Sequence, residues 1–394
     1  MGVRYRHLNP DACVWQEDVV EDRARIFILG PTPPPFHGVA VAVQTLLQSD
    51  LVKQFYTYHL DLADRRGIQH VNKPDLHDVV LFIRQWLKLV GMLISACPRV
   101  SYLVLSQSTI GFLRDSLLIW PAYLRGSHIV LHLHGGNFRE WFLGRSWCMK
   151  AYVKVVLRCV TRAIVLGKSL KNQFDGLIEK DRIAVVPNGI DWPGSASDRN
   201  ISRSQSRYRI LHLSTLSHLK GALVLLQAVP LVVQQRKDVE FILAGPWSHE
   251  EDRQWAEDFI HQHELETYVS FTGQVDAAEK KSLFDSSDLF VFPGVQQEGQ
   301  PLVVIEAMAA GMPVIFTDRG CLRDTVVDGI TGFEVPIGDA HQLAERILWC
   351  LAHPELMKSM GTRSRQRYET LYTKEQHIQR MIDVFTVSAR GEAA

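Results

Sequence analysis

The sequence is short of most features that would assign it at a glance. It has no net charge: 43 Lys or Arg stand against 43 Asp or Glu in 394 residues. Its six cysteines are scattered and form no Cys-x-x-Cys pair. Neither a disulfide framework nor a zinc site is indicated, and a reducing compartment fits. The start of the sequence lacks the apolar core of a signal peptide. The most hydrophobic helix-like stretch, Val79 to Ala96, is interrupted by Arg84, Gln85 and Lys88, and reads as too polar to span a membrane. It suits an ordinary packed helix, with a helix lying on a membrane surface as the other reading. No repeat of fixed short period is visible. Residues 1–24 are polar and without periodicity, and read as an extension.

Apolar content of 46% and charged content of 22% belong to the soluble globular class. The length allows two ordinary domains. The zero balance hides an uneven distribution. Residues 25–190 carry 20 Lys or Arg against 10 Asp or Glu, and residues 191–394 carry 20 against 28. A basic front half suggests an anionic partner, such as a membrane surface or an acidic acceptor. No nucleic-acid recognition motif accompanies it, so nucleic acid is not an expected partner.

Strands and helices alternate. Arg25 to Gly30 reads as a strand, then PTPPPFHG as a rigid turn ending at Gly38, then a helix to Leu47. A strand, a Gly-containing loop and a helix bring backbone N–H groups to a phosphate or a sugar. The loop lacks Gly-x-Gly-x-x-Gly, which weakens a nicotinamide reading. Helices are expected at 76–96, 111–125, 146–160 and 168–178, and strands at 100–105, 127–133, 162–166 and 182–187. The loops Gly30–Gly38, Ser106–Ser108, His134–Asn137 and Asn188–Gly189 each follow a strand, so all can open on one cleft. Residues 192–208, rich in Ser, Arg, Gly and Asn, read as a linker. A second alternation follows. Its strands are at 208–213, 239–244, 268–271, 288–292, 312–316 and 331–335, and helices over 339–352, 355–370 and 374–388 finish the chain. The fold class is α/β: two doubly wound parallel sheets, Rossmann-like, facing across a cleft.

One stretch organises the rest: EGQPLVVIEAMAAGMPVIF, residues 298–316. Glu298 stands on a loop and Glu306 inside an apolar helix. Pro301 suits the first turn of that helix, where its missing N–H costs nothing, and Gly311 suits its end. A carboxylate among Ile305, Ala307 and Met308 is costly unless paired or hydrogen-bonded. Glu306 could meet a buried Arg or backbone N–H groups, and Glu298 could be a solvated loop acid.

VPNGID at 186–191, Lys220-Gly221 after a strand, this Glu-x7-Glu pair with its EAMAAGMPVI run, and TGFEVP at 331–336 together resemble the retaining glycosyltransferases of family four. These are GT-B enzymes common in bacterial capsule, exopolysaccharide and lipopolysaccharide assembly. The resemblance runs from Arg25 to about Phe385 and is strongest over 183–340. It implies an N-terminal acceptor-side domain at 25–191, a nucleotide-sugar-binding domain at 209–372, and a last helix, 373–394, crossing back to the first domain. Glu306 would hold the ribose hydroxyls of a nucleotide sugar, and Glu298 would lie by the sugar ring and the reacting carbon. Gly299, Gln300, Pro301 and Leu302 would line the donor, with the backbone N–H groups of Gly299, Gln300 and Leu302 close to it. Lys220 would neutralise the diphosphate as a point charge. Gly38 would let its loop approach the donor. His134 would lie by sugar and acceptor, and Asn188 on the acceptor side.

The implied reaction moves a sugar from a UDP- or GDP-sugar to a glycan or lipid-linked glycan, with retention, by front-face attack. No cofactor or metal is expected; no Asp-x-Asp motif is present, so a protein cation would do a metal's work. The implied location is cytoplasmic, with the inner face of the cell membrane as a candidate attachment. Rival readings are a nucleotide-sugar epimerase of the same fold and a non-catalytic nucleotide-sugar-binding subunit. The sequence departs from the family's pattern in places. Ser214-Thr215 replaces the usual Gly-Arg, leaving Lys220 without its second cation unless Arg319 or Arg323 helps. Gln300-Pro301 replaces Phe-Gly, and Asp324 stands where Glu is usual.

Some residues have plainer readings. His134 could cap its strand, and His132 is expected on the opposite face of that strand, as a structural residue. Asn188 could simply stabilise a turn with Gly189. Phe138, Trp141 and Trp147, beside Arg139 and Arg145, could form a lipid-facing patch, though core packing is expected for most of them.

Overall fold

A computed structural model describes residues 23–34, 38–65, 76–194 and 207–391. The expected extension (apart from residues 23 and 24), the residues just before Gly38 and most of the expected linker lie outside the described residues.

The first half contains β1 (Arg25–Gly30), α1 (Gly38–Leu47), α2 (Leu51–Gln54), β2 (Tyr56–Asp61), α3 (Leu76–Ala96) and β3 (Val100–Val104). It continues with α4 (Thr109–Leu124), β4 (His128–Leu133), α5 (Phe138–Leu143), α6 (Trp147–Arg158), β5 (Val160–Val165) and β6 (Ile183–Val185). Its six strands are parallel, in the order β2-β1-β3-β4-β5-β6. The strands are apolar on both sides because helices cover both faces. Leu89 and Leu93 of α3, Phe112 of α4 and Val153 of α6 pack on one face. Val43 and Leu46 of α1 pack on the other.

The second half contains β7 (Tyr208–Leu213), α7 (Ala222–Gln235), β8 (Val239–Ala244), α8 (Glu250–Gln262), β9 (Val269–Gly273), α9 (Ala277–Ser286) and β10 (Leu289–Phe292). Then come α10 (Leu302–Ala309), β11 (Val314–Thr317), α11 (Leu322–Thr325), β12 (Gly332–Val335), α12 (Ala340–Ala352), α13 (Pro354–Leu371) and α14 (Lys374–Arg390). The second sheet is also parallel, in the order β12-β11-β10-β7-β8-β9. Caps fix several helix starts. Asp276 and Glu279 form a reciprocal capping box on α9, and Thr373 accepts from Gln376 N at the start of α14. Helix α14 leaves the second half and buries Ile378, Met381 and Phe385 among Ile26, Ile28 and Tyr102 of the first sheet.

Four elements differ from the sequence expectation. Strand β2 and helix α2 were not expected, because YTYHLD is an edge strand whose half-exposed residues carry little apolar signal. Helix α5 starts directly after His134-Gly135-Gly136-Asn137. The segment expected as a helix at 168–178 is a 3-10 turn over Lys168–Phe174. By length and composition α3 is also apolar enough to cross a membrane, contrary to the reading from its charges. What ties it to the first domain is packing: Gln85, Leu89, Leu93 and Ala96 are buried, and Gln85 Nε2 donates to Asp61 O at 3.2 Å.

Candidate functional site

In the second sheet the chain winds one way from β7 through β8 and β9, and the other way from β10 through β11 and β12. Loops leaving the carboxyl ends of two such neighbours diverge and open a crevice. The loop after β7 carries Lys220, and the loop after β10 carries Glu298. Backbone bonds stitch the two loops together: Val295 N and Gln296 N both donate to Leu219 O, at 2.9 and 3.2 Å. Gly221 has φ +88°, and a Cβ there would meet the Pro293 carbonyl; only glycine lets α7 begin so close to the second loop. The result is an ion pair, Lys220 Nζ to Glu298 Oε1 at 2.5 Å. Gln296 Nε2 donates to the same oxygen at 3.0 Å.

His212, at the end of β7, braces this corner from beneath. Its Nδ1 lies 2.9 Å from Val291 O. A carbonyl only accepts, so Nδ1 carries the proton. Nε2 then accepts from Ser214 Oγ at 2.8 Å. Burial, with the Lys220 charge adding to it, lowers the His212 pKa from 6.5 to about 4, so the ring is neutral at physiological pH. Nothing in the spacing of the sequence pointed to His212 or Gln296.

Helix α10 starts at Pro301 with no side-chain cap, so the positive end of its dipole opens beside Glu298. Glu306, buried within it, pairs through Oε1 with Lys280 Nζ at 2.5 Å. The partner is therefore a lysine of α9, not an arginine or a backbone amide. Oε2 is buried and has no hydrogen-bond partner among the described residues. An acceptor left so costs free energy in the folded protein and can take a hydroxyl donor from a ligand.

The first domain closes on these loops. Backbone meets backbone at His134–Gly136: a Cβ on Gly299 would collide with the His134 carbonyl, and one on Gly136 with the Glu298 carbonyl. The His134 ring lies 3.9 Å from that of His132, tilted by 35°. The expectation that His132 points to the opposite face is overturned, since residues two apart on a strand share a face. His132 is buried, with Nδ1 2.8 Å from Tyr102 Oη. Its pKa is held well below the usual value by burial, then by the charges of His134 and His377.

Other expected site residues are placed differently. Asn188 N donates to Gln300 Oε1 at 2.7 Å, and Asn188 Nδ2 donates to Gln300 O at 3.1 Å. Gln300 Nε2 donates to Thr325 Oγ1 at 3.0 Å. Both amides are thus engaged in a buried junction between the domains, where a donor or acceptor role had been expected. Gly38 opens α1 with no described protein atom within 4 Å of its Cβ position. Thr215 is exposed. Asp324 Oδ2 accepts from Ser169 N and Ser169 Oγ, each at 2.7 Å, which makes it a bond between the domains.

Of the two arginines considered as substitutes for the missing cation, Arg323 is occupied. It pairs with Glu334 at 2.5 Å and Asp318 at 2.8 Å. Arg319 sits on the loop after β11, next to Gly320, which packs on the Glu298 carbonyl. Its Nε is buried and unbonded among the described residues. Among the described residues no group of three or more His, Cys, Asp or Glu is placed to hold a metal ion.

The family model for glycosyl transferases group 1 matches residues 195–367. Residues 195–367 are thus similar to the group 1 glycosyl transferases. The matched region holds Lys220, Lys280, Glu298, Glu306 and Arg319. A phosphatidyl-myo-inositol mannosyltransferase of Mycolicibacterium smegmatis is 32% identical over 184 residues, covering 46% of this chain and 46% of that protein. The capsular polysaccharide biosynthesis glycosyltransferase CapM of Staphylococcus aureus is 26% identical over 256 residues, covering 61% and 66%. The chain spans about half the length of the first of these curated relatives. In fold it is similar to Anabaena Alr3699/HepE, solved with UDP and glucose, with TM-score 0.71, 18% identity, and 92% and 99% of the two chains covered. A glycosyltransferase of Rickettsia africae gives TM-score 0.72 at 16% identity, covering 94% and 100%. The architecture is GT-B, and the group 1 region supplies its second sheet.

Proposed function

We propose that the chain is a retaining glycosyltransferase that takes a UDP- or GDP-sugar as donor and a glycan or lipid-linked glycan as acceptor. Residues 25–191 would form the acceptor side and residues 209–372 the donor side. The observation that carries this reading is the pairing of Lys220 with Glu298 at the switch point, beside the uncapped start of α10 and one helix turn from the unpartnered Oε2 of Glu306. A diphosphate would lie against the Lys220 ammonium and the α10 N-terminus. Ribose hydroxyls would donate to Glu306 Oε2. Glu298, held by Lys220 and Gln296, would position the sugar ring, with His134 facing it from the first domain. The bond from the anomeric carbon to the diphosphate oxygen breaks. The acceptor oxygen bonds to the same face of that carbon, and its proton passes to the departing phosphate oxygen. Lys220 offsets the charge that grows on the leaving group. The UDP bound by Anabaena HepE and the lipid named for the mycobacterial mannosyltransferase favour this donor and acceptor class.

The test is calorimetric titration with a panel of UDP- and GDP-sugars, without divalent metal, on the wild type and on Glu306→Ala. Micromolar binding of one donor, lost in the variant, supports the reading. No binding by any member, or binding indifferent to Glu306, overturns it. Proton magnetic resonance of the product then reads the anomer; inversion would refute the stereochemical part.

A further inference from the structure

We infer that helix α3, with the N-terminal part of α4 and the start of α6, is a docking face for an anionic lipid bilayer. The inference goes beyond glycosyl transfer and does not rest on it.

Helix α3 has two opposed faces. Gln85, Leu89, Leu93 and Ala96 are buried against the first sheet. Leu76, Val79, Val80, Ile83, Leu87 and Ile94 are exposed, Leu87 by 59% and Ile94 by 67%. At 100° per residue these six fall within one arc about as wide as a helical third. Only 22% of the most apolar 18-residue window is buried, so this is not the buried helix of a core. Arg84 and Lys88, both exposed, border the arc on one side. Their stems can cover apolar surface while the charged heads reach outward. An exposed aliphatic stripe with a cationic border is the pattern of a helix lying in a bilayer interface.

The stripe is not isolated. Trp86 Nε1 donates to Leu117 O at 3.0 Å, which joins α3 to α4. There Ile110, Leu113 and Leu117 are exposed at spacings of three and four. Trp141 Nε1 and Arg145 Nη1 both donate to Thr109 Oγ1, and next to them Trp147 is 80% exposed. Phe138 is buried and Trp141 partly so, so Trp147 alone of those aromatic residues faces outward. A large exposed apolar patch marks an interaction surface, and an exposed Trp suits the headgroup level of a bilayer.

Charge selects the occupant. Residues 76–158 hold ten Lys or Arg and three Asp or Glu. Of those acids, Asp115 is fully buried and paired with Arg114, and Asp78 is half-buried; Glu140 is the one that is exposed. A face with aliphatic residues at its centre and cations around it complements anionic headgroups over an apolar interior. A second copy of the same cationic face would repel it. The patch also adjoins the cleft. Asn137 N, in the loop that carries His134, donates to Gln107 Oε1 at 2.7 Å, one residue from the Ser108 cap of α4. A bilayer held here would bring a membrane-borne hydroxyl to the cleft mouth.

The experiment is vesicle co-sedimentation of the full chain, with phosphatidylcholine vesicles and with vesicles of mixed phosphatidylglycerol and phosphatidylcholine. The variants are Ile83→Glu with Leu87→Glu, and Arg84→Ala with Lys88→Ala. All four residues are exposed and outside the cleft, so circular dichroism and nucleotide-sugar binding should match the wild type. The expected result is binding to the anionic vesicles only. It weakens at least about tenfold in the glutamate pair and at high salt, and by a smaller factor in the alanine pair. Equal partition of wild type and the glutamate variant overturns the inference. So does a wild type that stays off anionic vesicles and elutes as a dimer that the glutamate pair dissociates.

Discussion

Asn188 and Gln300, 112 residues apart in sequence, clasp each other across the junction of the two domains. One bond runs from the Asn188 backbone to the Gln300 side chain, the other from the Asn188 side chain to the Gln300 backbone. The Gln300 amide then reaches Thr325. Gln300 stands between Gly299, which touches His134, and Pro301, which starts α10. The clasp therefore fixes where the Glu298 loop sits relative to the first domain.

Breaking the clasp should destabilise and loosen the site together. Asn188→Ala and Gln300→Ala each leave a buried amide group without its partner, at about 1–3 kcal/mol. Urea unfolding of the two single variants and the double variant should show a coupling of about 1 kcal/mol. Strict additivity would mean that the two residues act independently.

Lys220 and Arg319 should carry the leaving-group charge between them, and Arg323 should not. Lys220→Met is expected to lower kcat about a hundredfold with a smaller change in KM, and Arg319→Ala about tenfold. Arg323→Ala, which breaks surface pairs with Glu334 and Asp318, should stay within about a factor of two. If Arg319→Ala retains full kcat, Lys220 acts alone.

The close approach at Gly299 predicts a contrast between two glycines. Gly299→Ala pushes a methyl group into the His134 carbonyl and should cost about 1–3 kcal/mol. Gly38→Ala meets nothing and should be neutral or stabilising by about 0.5 kcal/mol. Thermal melts of both variants decide it. A loss of donor affinity in Gly38→Ala at unchanged stability would support the role for Gly38 that the family resemblance implied.

Stability should fall with acid below neutrality. His212 accepts a proton near 6.5 when unfolded and only near 4 when folded. Between those values the unfolded state binds the extra proton, so it gains as pH falls. Stability from this residue is complete above about 6.5 and declines through that window, the loss reaching about 3 kcal/mol at its lower end. His132 and His377, also shifted down by burial, act in the same direction. Urea midpoints at about pH 7.5 and about pH 5 should differ accordingly; a flat profile would contradict a buried neutral His212.

Local pattern alone determined the alternation of strands and helices, the parallel sheets, and the α10 segment with one carboxylate on the loop before it and one within it. Those features rest on apolar runs, on Pro at a helix start and on Gly at its end, all legible from neighbours in sequence. Strand β2 escaped because an edge strand buries too little to leave an apolar signature. Tertiary structure decided the rest, since its contacts join residues that share no periodicity. Lys280 answers Glu306 from another helix, and Ser169 meets Asp324 across 155 residues. That His132 and His134 share a face, by contrast, follows from the strand's own period of two and was already legible in the sequence. Nothing in the spacing of α3 said which of its two apolar faces the sheet would take, and packing left the cation-bordered one outside.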